Sequence, residues 1–209
     1  MHREVFPDWC EPPVELAAMP VPCVDIWRIA LTVPGSNAPV TGQRAFAQQA
    51  MRQILGRYIG CPAEQLPIAT RTDGKPYLDM PGEPIEFNLS HSREMALLAV
   101  SRSFAVGVDV ETYRELADPL RLARRALIEA DVEELVATPE DRRMARFFHL
   151  WTLMEARQKA LGRGIFARPA EPSSASSFSF RPGTRQFAGL SAIPPTPAPE
   201  LRFFYYRQS

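Results

Sequence analysis

Lysine is nearly missing from this chain of 209 residues: of its 24 basic side chains only Lys75 and Lys159 are lysines, and the rest are arginines. An ammonium is a compact charge that meets phosphate as a point and changes its protonation state more readily than a guanidinium. The two lysines left in such a chain are therefore positions to watch. Cysteine is scarce too. Cys10, Cys23 and Cys61 are odd in number, scattered and without metal-ligand spacing, so three structural thiols in a reduced, cytoplasmic setting are expected. Charge of one sign is not in excess. The formal net charge is zero, which gives no general affinity for nucleic acid or an anionic membrane. No apolar run approaches the roughly 20 residues of a membrane helix, and Met1-His2-Arg3-Glu4 is followed by no run of signal-peptide length. Glycine-rich phosphate loops, nucleophile elbows and internal repeats are absent as well.

What is present centres on Val106-Gly107-Val108-Asp109-Val110-Glu111. The alternation has the period of a β-strand, with the valines on one face and Gly107, Asp109 and Glu111 on the other. The two carboxylates then lie about 6.5 Å apart along the strand. Like charges so placed repel and favour a positive group between them. A hard divalent cation such as Mg²⁺, which prefers oxygen ligands, is the natural candidate. Gly107 is expected to leave room for a ligand on that face. The same pattern also fits a solvated strand edge.

Earlier in the chain, Val24–Leu31 reads as a strand. A helix is expected over Thr41–Tyr58, with Phe46, Ala50, Ile54 and Tyr58 on one face. Arg44 and Arg52 lie off that stripe, as solvated side chains or as anion contacts. Asp73-Gly74 marks a turn that presents Lys75. Ile85–Ser90 is a strand running into a corner at Ser90-His91-Ser92, and Met95–Val100 is the next. These, with Val106–Glu111, are expected to be consecutive antiparallel strands. Asp118-Pro119 opens a helix carrying Arg121, Arg124 and Arg125. A short helix over Ile128–Val136 follows, and then a long one from Thr138-Pro139. On the long helix Trp151, Glu155 and Lys159 are spaced i, i+4, i+8 and share a stripe. That stripe is either a surface ion pair beside a core tryptophan or a third carboxylate next to one of the two lysines. A loop over Ala167–Ser177 precedes strands at Phe178–Phe180, Phe187–Leu190 and Leu201–Tyr206.

Four motifs, in order, carry a family resemblance: Gly74-Lys75-Pro76; Phe87-Asn88-Leu89-Ser90-His91-Ser92; Gly107-Val108-Asp109-Val110-Glu111; and Phe148-His149-Leu150-Trp151-Thr152 with Glu155-Ala156, Lys159-Ala160 and Gly162. Over roughly Val24 to Phe180 the chain resembles the 4′-phosphopantetheinyl transferases, in particular the longer type that activates peptide and polyketide synthases. The resemblance implies an α+β fold, a pseudo-two-fold pair of similar lobes with antiparallel strands packed with helices. The lobes are expected at 1–105 and 106–209, with a final strand of the second expected to be missing. The implied reaction transfers the phosphopantetheine arm of coenzyme A to a serine of an apo carrier protein and releases 3′,5′-ADP. By motif position, Asp109, Glu111 and Glu155 would hold Mg²⁺ with the pyrophosphate. Glu155 would be the base, and Lys159 would contact the phosphates and help stabilise the leaving group. Arg44, Lys75, Ser90 and His91 would bind coenzyme A. The partner would be an acyl, peptidyl or aryl carrier protein, met by a cytoplasmic monomer that binds neither nucleic acid nor membrane.

The chain departs from the pattern twice. Met154 stands where the family commonly has lysine, so one cation near the coenzyme is expected to be absent. The family commonly adds a strand after the one resembling Leu201–Tyr206, whereas here Ser209 is the last residue, leaving a sheet edge expected to be open. Two other readings stand beside the transferase: a non-catalytic coenzyme A or carrier-protein binding protein of the same fold, and a metal-dependent phosphohydrolase. The second leaves Lys75 and Ser90-His91 unexplained.

Overall fold

Two short strands, Arg3–Glu4 (β1) and Trp9–Cys10 (β2), precede the first long one, Cys23–Ala30 (β3), in the computed structural model. The structure describes all residues except 1–2, 17–18, 21, 34–38, 83–84, 165–166, 168–173 and 208–209, so most of the Ala167–Ser177 loop lies outside the described residues. Helix Gln43–Ile59 (α1) follows, then strands Ile68–Thr70 (β4), Pro76–Leu78 (β5), Glu86–Ser92 (β6), Met95–Ser101 (β7) and Ala105–Thr112 (β8). Helices Pro119–Ala126 (α2), Glu129–Ala137 (α3) and Glu140–Ala160 (α4) come next, and strands Ser176–Gly183 (β9), Gln186–Ile193 (β10) and Glu200–Tyr205 (β11) close the order. The fold is α+β, as expected.

Two sheets carry it. One has the order β2-β11-β3-β7-β6, the other β1-β9-β10-β8. Period-two alternation explains how they stack. On β3, Val24 and Ile26 join Leu97, Val106, Val108, Val110 and Leu190 in a core between the sheets. Trp27 and Ile29, on the other face, pack with Ala47, Ile54 and Leu55 of α1. The apolar stripe read for α1 is therefore its buried face, and Gly60, at φ +74°, ends the helix in the left-handed conformation that suits glycine. Asp118 caps α2 by accepting from the Arg121 amide at 2.8 Å.

The expected run of three antiparallel strands is corrected. β6 and β7 do pair, but β8 hydrogen-bonds to β10, with Asp109 opposite Gly189, and belongs to the other sheet. The apolar side chains of β7 and β8 meet face to face across the core, so a ladder between those strands is not available. The sheet edge expected to be open beside the last strand is corrected: the N-terminal arm covers it, with β2 parallel to β11, and likewise places β1 parallel to β9. The last strand returns to the first sheet, parallel to β3. It is fastened there by Arg202, whose guanidinium donates to both oxygens of fully buried Asp25 at 2.6 and 2.7 Å. Tyr58 of α1 donates to the same carboxylate at 2.5 Å.

Helix α4 lies on β8 and β10, and two glycines let it. A Cβ at Gly107 would land on the Ala156 carbonyl and the Ala160 amide, and one at Gly189 on the Thr152 carbonyl. The expectation that Gly107 admits a ligand is thus corrected: the space is filled by helix backbone, which is what brings α4 close enough to share a site with β8. Gly107→Ala should lower stability by about 1–3 kcal/mol, read from the midpoint of a urea titration. Arg202→Leu, which strands a buried carboxylate, should cost about 3–5 kcal/mol in the same measurement.

Candidate active site

The chemistry collects where β6, β8 and α4 meet. One edge of β8 pairs with β10, and the other faces β6 of the other sheet, where side chains take the place of a strand. Asn88 Oδ1 accepts from the Val108 amide at 2.9 Å, Ser90 Oγ from Val110 at 3.4 Å, and Ser92 Oγ from Thr112 at 3.1 Å. The two lysines complete the row. Lys75 Nζ donates to the Val106 carbonyl at 3.2 Å, and Lys159 Nζ to the Val108 carbonyl at 3.3 Å. Buried peptide groups need such partners, and here every partner is a side chain of the motifs singled out in the sequence.

On the helix-facing side of β8, Asp109 is buried and Glu111 half-buried. Oδ1 of Asp109 accepts from Ser90 Oγ at 2.8 Å and from Lys159 Nζ at 2.6 Å. Oδ2 of Asp109 is buried with no hydrogen-bond partner among the described residues. Glu111 Oε2 accepts from Ser92 Oγ at 3.2 Å and from Arg114 at 2.7 Å. Glu155, one turn before Lys159 on α4, lies 3.7 Å from that ammonium. The i, i+4 pair is thus no surface pair: it faces the strand carboxylates. Burial, and then the charge of Asp109, pushes the Glu155 carboxyl up to about 8, against the pull of Lys159. Burial draws Lys159 down, but Asp109, Glu155 and Glu111 outweigh it and the ammonium is held above its ordinary value.

The coenzyme-contact candidates divide. Arg44 and His91 line a cavity of about 610 Å³ between α1, the β4–β5 hairpin and β6, together with Gly74, Pro76 and Asn88. Lys75 turns away from that cavity toward Val106 and Glu86, and burial lowers its pKa more than Glu86 raises it. Ser90 belongs to the carboxylate cluster, and its His91 neighbour, at the end of β6 rather than at a corner, is exposed. Arg52 lines the cavity but donates to the carbonyls of Ala63 and Leu66, so it braces the turn after α1. Met154, expected to mark a missing cation, is 4% exposed in an apolar cluster with Ala123, Phe148 and Phe187. It is a core residue of the α2–α4 contact.

Sequence reasoning missed Arg114 on Glu111, and it gave Asn88 and Ser92 no role. The available signal was the period-two row Asn88, Ser90, Ser92. As a donor set, three carboxylates suit a hard divalent cation, and the buried free oxygen of Asp109 with the raised carboxyl of Glu155 is the electrostatic state that such a charge relieves. Among the described residues no three of these groups already converge as a cation cage, and the Lys159 ammonium lies within reach of both Asp109 and Glu155.

The raised Glu155 carboxyl binds a proton in the folded chain at pH values where the unfolded chain has released it, between 4.5 and about 8. Its contribution to stability is therefore complete below 4.5 and is lost as pH rises toward 8. In chelator, the urea midpoint should fall from pH 5.5 to 8.5, and Glu155→Gln should fall less. Equal falls in both chains would remove Glu155 as the group responsible.

Comparison with known proteins bears on the same elements. A sequence model of the 4′-phosphopantetheinyl transferase superfamily matches residues 105–197, from the start of β8 past the end of β10. The chain is similar to the 4′-phosphopantetheinyl transferase HetI of Nostoc sp., at 38% identity over 117 residues, which is 55% of this chain and 49% of that protein. It is also similar to the 4′-phosphopantetheinyl transferase gsp of Aneurinibacillus migulanus, at 28% over 167 residues, 73% of this chain and 68% of that one. AcpT of Salmonella typhi, another 4′-phosphopantetheinyl transferase, is 31% identical over 121 residues, 58% of this chain and 61% of its own. The chain spans about half the length of several curated relatives it matches.

Proposed function

We propose that this chain, a member of the 4′-phosphopantetheinyl transferase superfamily by its residues 105–197, transfers the 4′-phosphopantetheine arm of coenzyme A to a serine of an apo carrier protein. The observation that carries the reading is the meeting of Asp109 and Glu111 from β8 with Glu155 and Lys159 from α4. They meet beside a cavity edged by Arg44 and His91. A cavity of about 610 Å³ is in the range that takes a cofactor-sized ligand.

In this reading the carrier serine oxygen attacks the phosphorus that bears the pantetheine arm. The bond from that phosphorus to the bridging oxygen breaks, and 3′,5′-ADP leaves with that oxygen. Glu155 takes the serine proton, directly or through a water. Lys159 places its ammonium against the charge that develops on the departing phosphate. Arg44 and His91 hold the coenzyme's phosphates in the cavity. Lys75 and Ser90 belong to the same contact set by motif position and lie behind it. Asp109, Glu111 and Glu155 would hold Mg²⁺, which when bound neutralises charge on the pyrophosphate oxygens. On this reading a lobe at 1–105 supplies the cavity, whose lining runs from Arg44 to His91, and a lobe at 106–209 supplies the carboxylates and Lys159. Exposed Arg121 and Arg124 on α2 offer an acidic carrier helix a place to dock. No helix among the described residues is long and apolar enough to cross a membrane, and we take the enzyme to work as a cytoplasmic monomer.

Incubation of the chain with coenzyme A, Mg²⁺ and an apo carrier protein should add the mass of one phosphopantetheine arm to the carrier. Glu155→Gln should slow that transfer by roughly 10²–10⁴-fold while the circular dichroism spectrum stays unchanged. Coenzyme A binding with no mass gain on any of several carriers would favour a non-catalytic binding protein, and coenzyme hydrolysis without a carrier would favour a phosphohydrolase.

A further inference from the structure

We propose that Ser90 and Ser92 are positioning residues, which aim the carboxylates of Asp109 and Glu111 by locking β6 to the open edge of β8. The proposal rests on the transferase reading for its link to turnover, but its geometry stands alone. A serine hydroxyl has one proton to give and two lone pairs to receive with. Ser92 Oγ receives the Thr112 amide at 3.1 Å, which directs its proton to Glu111 Oε2 at 3.2 Å. Ser90 Oγ receives the Val110 amide at 3.4 Å and the Lys159 ammonium at 3.1 Å, and its proton goes to Asp109 Oδ1 at 2.8 Å. All three capacities of Ser90 are thus used within the cluster.

The same relay occurs twice, two residues apart. An amide of β8 donates to a serine of β6, and that serine donates to the carboxylate of the residue preceding the amide. Because both strands have a period of two, the repeat keeps both carboxylates on the helix-facing side and sets their rotamers from one rigid strand. The remaining partner of Glu111 is Arg114, whose side chain is 42% exposed. Without Ser92, Glu111 is held only from the solvent side and follows Arg114 outward. Hydroxyls that orient cation-binding carboxylates in this way typically matter at the level of about 10–100-fold in metal affinity.

Mn²⁺, titrated into the full chain without coenzyme or carrier and followed by paramagnetic resonance, is the direct probe. Ser92→Ala should weaken Mn²⁺ binding by about tenfold, with the KM for coenzyme A in the transfer assay changed by less than about twofold. Ser92→Thr, which restores the hydroxyl, should recover most of the Mn²⁺ affinity. Ser92→Cys, near in size and a poor donor, carries the same test if the alanine chain does not fold. Wild-type Mn²⁺ affinity in Ser92→Ala or Ser92→Cys would overturn the proposal, as would a wild-type chain that binds no Mn²⁺. A loss of coenzyme affinity in chelator equal to the loss for Mn²⁺ would also overturn it, since the hydroxyl would then be a coenzyme contact. If Mn²⁺ binding weakens as stated but the wild-type chain modifies no carrier, the transferase reading fails and the positioning role stands.

Discussion

One edge of β8 has no strand to pair with, and the site exists because side chains supply what a strand would. β8 is committed to β10 on one side, while β6, its neighbour on the other, is committed to β7 in a different sheet. Peptide groups facing such a seam cannot stay buried without partners. Asn88, Ser90 and Ser92 accept from its amides, and Lys75 and Lys159 donate to its carbonyls. A main-chain ladder would have satisfied the same groups and left no functional side chain near them. The substitution of side chains for backbone thus both closes the seam and places charged and hydroxyl groups beside Asp109 and Glu111.

The second requirement is close approach. Gly107 and Gly189 let the backbone of α4 rest on the sheet, with no Cβ between them. That contact decides where Glu155 and Lys159 sit, because on a helix held this near the strands their stripe faces β8 instead of water. The electrostatics then follow from position alone. Asp109 draws Lys159 to 2.6 Å, while burial, and then the charge of Asp109, keeps the proton on the Glu155 carboxyl well above the ordinary range. Lys159 and Arg114 balance Asp109 and Glu111, so ionising Glu155 leaves the cluster one positive charge short, the deficit that a bound cation would fill.

Local periodicity made much of this legible. The two faces of Val106–Glu111, the stripe of α1 and the Trp151–Glu155–Lys159 row are properties of single elements, and each survives in the fold. The scarcity of lysine picked out two positions that both turn out to hold β8. What stayed hidden depends on which elements meet. Gly107 could be read as a gap but not as a gap for a helix. Met154 could be compared with a motif but not assigned to the core it fills with Phe148 and Phe187. The partner of Ser92 lies 20 residues away, on a strand that sequence order suggested would be a ladder neighbour of β7.

The remaining constraint is that the seam must not open, for its two sides come from different sheets. Three features far from the chemistry hold those sheets in one relation. The N-terminal arm gives β1 to one sheet and β2 to the other. β11 follows β10, from the second sheet, and pairs with β3 in the first. Arg202 on β11 is then fixed to Asp25 at the bottom of the α1 core, where Tyr58 binds the same carboxylate. A buried ion pair is a poor source of net stability but resists alternative arrangements, since any shift strands a charge. Its position on the strand that crosses between the sheets makes it a register lock. The hydrogen bonds of 2.8 to 3.4 Å between β6, β8 and their carboxylates tolerate little sliding. The serines that touch Asp109 and Glu111 thus stand on a strand of the same sheet that this charge pair ties together in the other core.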